Sequence, residues 1–201
     1  MELRDRIDFL CKTILAAKTA GRLVLGIDGL SRSGKTTFAN QLSQTLREQG
    51  ISVCVFHMDD HIVERAKRYH TGNEEWFEYY YLQWDIEWLT HHLFRQLKTA
   101  RQLELQFYHQ EADAHTRRIV HLADSDVILV EGVFLQRREW RAFFDFVAYL
   151  DCPREIRFAR EKDDAKQDIQ KFICRYWKAE DYYLQTEEPI KQADVVFDMT
   201  S

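Results

Sequence analysis

Proline is nearly missing from this chain of 201 residues. Two prolines and seven glycines leave no stretch that could act as an interdomain linker, and no low-complexity tract or internal repeat is found. Four cysteines, Cys11, Cys54, Cys152 and Cys174, lie far apart, without the C-x-x-C spacing of a zinc or redox site. They read as reduced thiols of a cytoplasmic protein. No apolar run approaches the ~20 residues needed to cross a bilayer. The first ten residues carry three acids and two arginines where a secretory signal would need an unbroken apolar core. Basic charge is also short: 28 Lys plus Arg against 33 Asp plus Glu give a formal net charge of −5. That balance speaks against a nucleic-acid partner, because a phosphate backbone selects basic surfaces. Asparagine occurs only at Asn40 and Asn73, so the N-K-x-D loop of guanine-specific switches is lacking. What remains is ordinary for a globular chain, 45% hydrophobic and 30% charged, and the length suits one domain over residues 1–201.

One segment carries specific chemistry. Gly29-Leu30-Ser31-Arg32-Ser33-Gly34-Lys35-Thr36 follows the apolar run Leu23-Val24-Leu25-Gly26-Ile27-Asp28. That order of strand, glycine-bounded turn and Lys-Thr describes a cradle for the phosphates of a nucleoside triphosphate. Backbone N–H groups of such a turn converge on an anion, and the helix opening at Lys35 adds the positive end of its dipole. Lys35 can reach the β- and γ-phosphates, while the Thr36 hydroxyl is placed to ligate Mg²⁺. Gly29, Ser31, Arg32, Ser33, Gly34 and Thr37 complete the expected binding loop. Phe38, Leu42 and Leu46 then recur at helical spacing until Gly50, which supplies the helix the motif requires.

Leu3, Ile7, Leu10, Ile14 and Leu15 share one stripe, predicting an amphipathic helix over residues 2–19 whose outer face could pair subunits into a homo-oligomer. Ile51 to His57 reads as the second strand, and the short crossover predicts parallel pairing with the first. Residues 75–98 predict two helices meeting near Gln83. Leu103–Tyr108 and Arg117–Leu122 alternate apolar and polar residues, predicting two short strands outside the main sheet. Buried parallel strands are predicted at Asp126–Gly132 and Phe146–Asp151, with Pro153 opening the next helix, a long helix over 168–184, and a last strand at Ala193–Phe197. The predicted fold is three-layer α/β/α with a five-stranded parallel sheet, a small hairpin and helical insertion, and a short lid.

Ligands of an open parallel sheet bind beyond the carboxyl ends of its strands. This singles out Asp59 and Asp60 after the second strand and Glu131 after the third. One carboxylate beside a γ-phosphate can orient a hydroxyl and accept its proton, while another holds Mg²⁺ directly or through water.

These residues resemble the uridine kinase and phosphoribulokinase group of P-loop kinases, from about Arg22 to Asp198. The likeness lies in Gly26 to Thr37, the acid after the second strand, Val130-Glu131-Gly132, and Lys191-Gln192-Ala193-Asp194-Val195-Val196. The resemblance implies transfer of the γ-phosphoryl group of ATP, with Mg²⁺, to a hydroxyl of a small metabolite such as a nucleoside. It makes Asp59 the catalytic base and a metal neighbour, Lys35 and Thr36 the phosphate and metal contacts, and Glu131 a metal-associated acid. It also places Tyr108 and His115 in a nucleoside-lining hairpin, and Arg157 and Arg160 near the phosphates at the root of a lid spanning about 161–175. The acceptor region would cover about 60–122, with Asp60 and Tyr79 as further contacts.

Two departures stand out. Leu82 occupies the position of the group's ribose-binding acid, and the stretch 161–168 is shorter and more acidic than an arginine-rich lid, leaving Lys162, Lys166 and Arg175 to reach phosphate. Pantothenate or a sugar phosphate as acceptor, and a nucleotide-dependent regulator with slow hydrolysis, are the alternatives.

The aromatic block Trp76, Phe77, Tyr79, Tyr80, Tyr81, Trp84 and Trp88 suits a helical core as well as a stacking wall, with Tyr79 to Tyr81 the candidates for substrate contact. His57, Asp59, Asp60 and His61 alternate imidazole and carboxylate, but no cysteine stands near enough to suggest zinc or iron. Arg137, Arg138 and Arg141 read as a solvated basic patch at a helix start.

Overall fold

The computed structural model describes residues 2–17 and 21–200. Strands β1 (Leu23–Asp28), β2 (Val53–His57), β5 (Val127–Glu131), β6 (Phe146–Asp151) and β7 (Val195–Asp198) form one parallel sheet in the order β2-β5-β1-β6-β7. Strands β3 (Gln102–His109) and β4 (Ala114–His121) pair as a separate antiparallel hairpin. The predicted parallel relation of the first two strands holds, but they are not neighbours. β5 lies between them, so the connections leaving β1 and β5 diverge at the centre of the sheet and open a crevice there.

Alternation along the strands divides the core into two layers. Leu25, Ile27, Leu129, Ala148 and Leu150 face one side, where they meet Ile7, Leu10 and Ile14 of α1 (Leu3–Ala17) and Phe38, Leu42 and Leu46 of α2 (Lys35–Glu48). The predicted extension of α1 to Thr19 lies outside the described residues. Val24, Ile128, Val130 and Val147 face the other side, against the aromatic helices Glu75–Tyr81 and Ile86–His92 and the helix Lys178–Thr186. Burying a Phe or Leu side chain stabilises by about 1.5–3 kcal/mol. The three apolar residues of α2 therefore fix the orientation of a helix whose first turn is the phosphate site.

The helix predicted over 168–184 runs from Ile169 to Thr186, but it contains a π-helical turn at Phe172–Trp177. Asp168 caps its start by accepting from the Lys171 amide at 3.2 Å. Arg137 departs from expectation. It is fully buried, 4.4 Å from the Tyr80 ring centroid and 4.8 Å from that of Trp140, and donates to Tyr80 O at 2.6 Å. The residues after β5 turn back beneath the aromatic helices instead of starting a solvated helix, and this carries the guanidinium inward.

Candidate active site

A cleft of about 1350 Å³ runs along the carboxyl edge of the sheet. The phosphate loop forms its floor. Gly34, at φ 98°, and Gly29, at φ 148°, hold backbone conformations that a side chain would strain, and a Cβ on Gly29 would stand 2.8 Å from Leu150 O. The loop is braced from outside by helix residues. Glu180 Oε1 accepts from the Ser31 amide (3.2 Å), and Arg157 donates to Ser31 O (3.0 Å), Cys152 O (2.9 Å) and both Glu180 oxygens (2.8 and 3.0 Å). Arg160 donates to Arg32 O at 3.0 Å, and Arg32 pairs with Glu161 at 2.9 Å. Arg157 and Arg160 lie beside the loop, and their guanidiniums are engaged with its backbone and, for Arg157, with Glu180. Ser33 Oγ is buried inside the loop without a protein partner.

At the head of α2, Lys35 is buried and its ammonium donates to Leu30 O at 2.8 Å. Burial pushes its pKa down, while Glu131 and Asp59 act in the opposite sense. Thr36 Oγ1 donates to Glu131 Oε1 at 2.9 Å. The register aligns His57 with Glu131 at the ends of β2 and β5, and His57 Nδ1 sits 2.8 Å from the same oxygen. The hydrogen bond to Glu131 raises the His57 pKa. Two residues further on, a 3₁₀ turn at Met58–His61 swings Asp59 and Asp60 over the cleft.

The carboxylates are driven apart. Confinement among protein groups raises Asp59, helped by Glu131 and Asp60 and opposed by Lys35. Burial alone would raise Glu131 too, but His57, Lys35 and Thr36 outweigh it and hold that carboxyl below its ordinary value. Two acids set in opposite directions by their surroundings are suited to different tasks, one to carry a proton and one to stay charged.

The remaining predicted residues are distributed unevenly. Asp60, Tyr79 and Tyr108 line the cleft; Tyr80 and Tyr81 do not. Tyr80 and Trp84 belong to the core, and Tyr81 lies edge-on to Tyr80 and against Tyr182. His115 has both ring nitrogens engaged, with Glu64 Oε1 and Ile62 O, each at 2.9 Å, so it fastens the hairpin to the segment after Asp60. His57 and His61 do not assemble with the acids into a cage. Among the described residues no three His, Cys, Asp or Glu side chains are grouped to hold a metal. Lys166 pairs with Asp163 at 3.3 Å. Arg175 is drawn into the core, where it pairs with Glu78 at 3.0 Å and donates to Arg68 O at 3.0 Å. It therefore does not serve as a lid cation.

Three features escaped the sequence reading: the Arg157–Glu180 brace, the buried Asp28, and Arg68. Asp28 accepts from Tyr183 Oη (2.6 Å) and Gln136 Nε2 (3.0 Å). An acid closing an apolar strand was its only visible signal. Glu180 and Arg68 sat among other charges in sequence with nothing to distinguish them.

Among known proteins, the sequence profile of the Phosphoribulokinase / Uridine kinase family matches residues 24–199. A uridine kinase of Yersinia enterocolitica is 28% identical over 186 residues, covering 87% of this chain and 85% of its own. A structure described as that of a possible uridine kinase from Bacillus stearothermophilus is 79% identical, covers 98% of this chain and 100% of its own, and superposes with a TM-score of 0.89. A candidate fructose transport system kinase from Silicibacter, at 20% identity, shares the fold with a TM-score of 0.78 over 95% of this chain and 98% of its own.

Proposed function

The chain belongs to the Phosphoribulokinase / Uridine kinase family, and we propose that it transfers the γ-phosphoryl group of ATP, bound with Mg²⁺, to a hydroxyl of a nucleoside or another ribose-like alcohol. The observation that carries this reading is the meeting of Thr36 and Glu131 at 2.9 Å beside Lys35, with Asp59 close enough to shift with their charges. The uridine kinases among its relatives favour a nucleoside acceptor.

Lys35 lies where it can follow the β- and γ-phosphates once released from Leu30 O. Asp59, lining the cleft near Lys35 and Glu131, takes the proton of the attacking hydroxyl. The donors fit a hard cation: one hydroxyl and carboxylates, no sulfur, and too few protein ligands for a closed cage, which leaves places for phosphate oxygens and water. When bound, Mg²⁺ would neutralise charge on the transferred group. Asp60, Tyr79 and Tyr108 belong to the acceptor wall formed within residues 60–122, His115 supports that wall, and residues 161–175 form the lid of one domain. The free cysteines suit a reducing, cytoplasmic setting.

The test is ADP release with a panel of nucleosides and other metabolic alcohols. Stimulation by an acceptor supports the kinase, and flat, slow hydrolysis across the panel refutes it. Asp59→Asn should lower kcat by about 10²–10⁴-fold with ATP affinity retained, whereas Lys35→Ala should weaken both. Unchanged turnover in Asp59→Asn removes its role as base.

A further inference from the structure

His57 closes β2 with an imidazole that takes no part in the proton transfer assigned to Asp59. It is the last residue of its strand, and the parallel register sets it beside Glu131, the last residue of β5. Side chains at aligned positions of neighbouring parallel strands emerge on the same face. The imidazole and the carboxylate therefore meet at the carboxyl edge of the sheet, with His57 Nδ1 2.8 Å from Glu131 Oε1. The His57 side chain is 32% exposed, against 8% for Glu131, so it does little as core filling.

Glu131 Oε1 is a shared acceptor. Thr36 Oγ1 donates to it at 2.9 Å from the first turn of α2, while His57 approaches it from β2. An ionised carboxylate can only accept, which makes Nδ1 the protonated ring nitrogen and points the Thr36 hydroxyl hydrogen at Glu131. The lone pairs of Thr36 Oγ1 are thereby turned away from Glu131, and Thr36 lines the cleft. Glu131 lines it too, and among the described residues its Oε2 makes no hydrogen bond. These two oxygens are the ones the kinase reading gives to Mg²⁺, directly or through water. Without His57, a single hydrogen bond would hold the carboxylate, and the Thr36 hydroxyl could turn with it. Mg²⁺ tolerates such looseness poorly, because it demands near-octahedral geometry at about 2.0–2.1 Å, whereas Ca²⁺ accepts about six to eight oxygens in variable arrangements.

We infer that His57 is a positioning residue for the metal: by fixing Glu131, and through it the Thr36 hydroxyl, it sets the affinity of the site for Mg²⁺ and its preference for Mg²⁺ over Ca²⁺. This rests on the kinase reading above and concerns the geometry of its cation site. The test measures, by calorimetric titration, the Kd of a non-hydrolysable ATP analogue in EDTA, in saturating Mg²⁺ and in saturating Ca²⁺. By linkage, the ratio of Kd values with and without a cation reports how firmly the protein engages that cation beside the nucleotide. The wild type should bind the analogue more tightly with Mg²⁺ than in EDTA. His57→Leu should reduce that Mg²⁺ effect about 10- to 100-fold, the usual cost of losing a residue that orients a metal ligand. It should reduce the Ca²⁺ effect less and keep the Kd in EDTA, which controls for folding of the phosphate loop. His57→Asn, whose side-chain N–H can stand close to the place of Nδ1, should recover most of the Mg²⁺ effect. The inference is overturned if His57→Leu keeps the full Mg²⁺ effect, loses the Mg²⁺ and Ca²⁺ effects equally, or raises the Kd in EDTA, and equally if His57→Asn recovers nothing. A wild type that binds the analogue equally well with and without Mg²⁺ refutes the cation site and this inference together, whereas one that binds no analogue under any condition brings down the kinase reading first.

Discussion

Gly132 follows Glu131 directly, and Met58 immediately precedes Asp59. A Cβ added at Gly132 would stand 2.7 Å from both Cβ and Cγ of Met58. Carbon atoms in ordinary contact are separated by about 3.5–4.0 Å, so Gly132→Ala must open the gap between β5 and the Met58 turn by about 1 Å. Met58 is fully buried and its carbonyl accepts from Trp84 Nε1 at 2.9 Å, which leaves it little room to yield without moving the turn. Overpacking of this kind costs about 1–3 kcal/mol, and for a chain of this size each kcal/mol lowers Tm by about 2–4 °C. The consequence for catalysis should be larger. Displacing a reacting group by 1 Å can cost about 10²-fold in rate, and the residue displaced is Asp59, while the phosphate loop is untouched. Calorimetric titration with an ATP analogue, kcat with the best acceptor, and thermal melting should separate the three effects: affinity kept, kcat reduced about a hundredfold, Tm lowered by several degrees. A Gly132→Ala protein with wild-type kcat would refute the claim that the Met58 turn holds Asp59 in its reacting position; one with wild-type Tm would refute the steric argument itself.

Arg175→Met removes one partner of a buried ion pair whose side chains are 1% and 3% exposed. Leaving Glu78 uncompensated should cost about 3–5 kcal/mol in urea denaturation, and a loss below about 1 kcal/mol would show that the pair is not confined. Glu64 is held down to about 2 by Lys67, with help from its own backbone amide and His115, against an ordinary value of 4.5. A depressed folded value stabilises above the unfolded value and ceases to do so as pH falls through the folded one. The stability advantage of the wild type over Glu64→Gln should therefore shrink between about pH 4.5 and pH 2, and a difference that grows on acidification would reverse the assignment. Because this pair is solvent-screened, added salt should reduce the advantage as well.

The sheet and the phosphate loop were legible because both are local: apolar runs between turn signals give the strands, and eight consecutive residues give the cradle. Spatial neighbours distant in sequence were not. β5 intervenes between β1 and β2 because the third buried run enters at the centre of the sheet, which no crossover length reveals. Arg175 read as a lid cation since the acid that draws it inward, Glu78, lies 97 residues away. Arg137 looked solvated beside Arg138, yet the rings that receive it come from residues 80 and 84 as well as 140. The acids at strand ends were found by topology alone, while the opposite shifts of Asp59 and Glu131 depend on Lys35 and Thr36 of α2 and His57 of β2 converging on them.

The arginines of the cleft divide by what already neutralises them. Arg157 faces Glu180 and Arg32 faces Glu161, and behind them in the core Arg175 faces Glu78. In each case the guanidinium ties one segment to another and adds little net field. Those ties hold the loop before any ligand arrives, and preorganised dipoles contribute most to phosphoryl transfer because they need not rearrange as charge develops. Lys35 on the floor and Arg68 are instead buried and held by neutral acceptors. A chain of net charge −5 would repel a triphosphate at long range, so attraction must come from a few desolvated charges acting at short distance, where the local dielectric strengthens them.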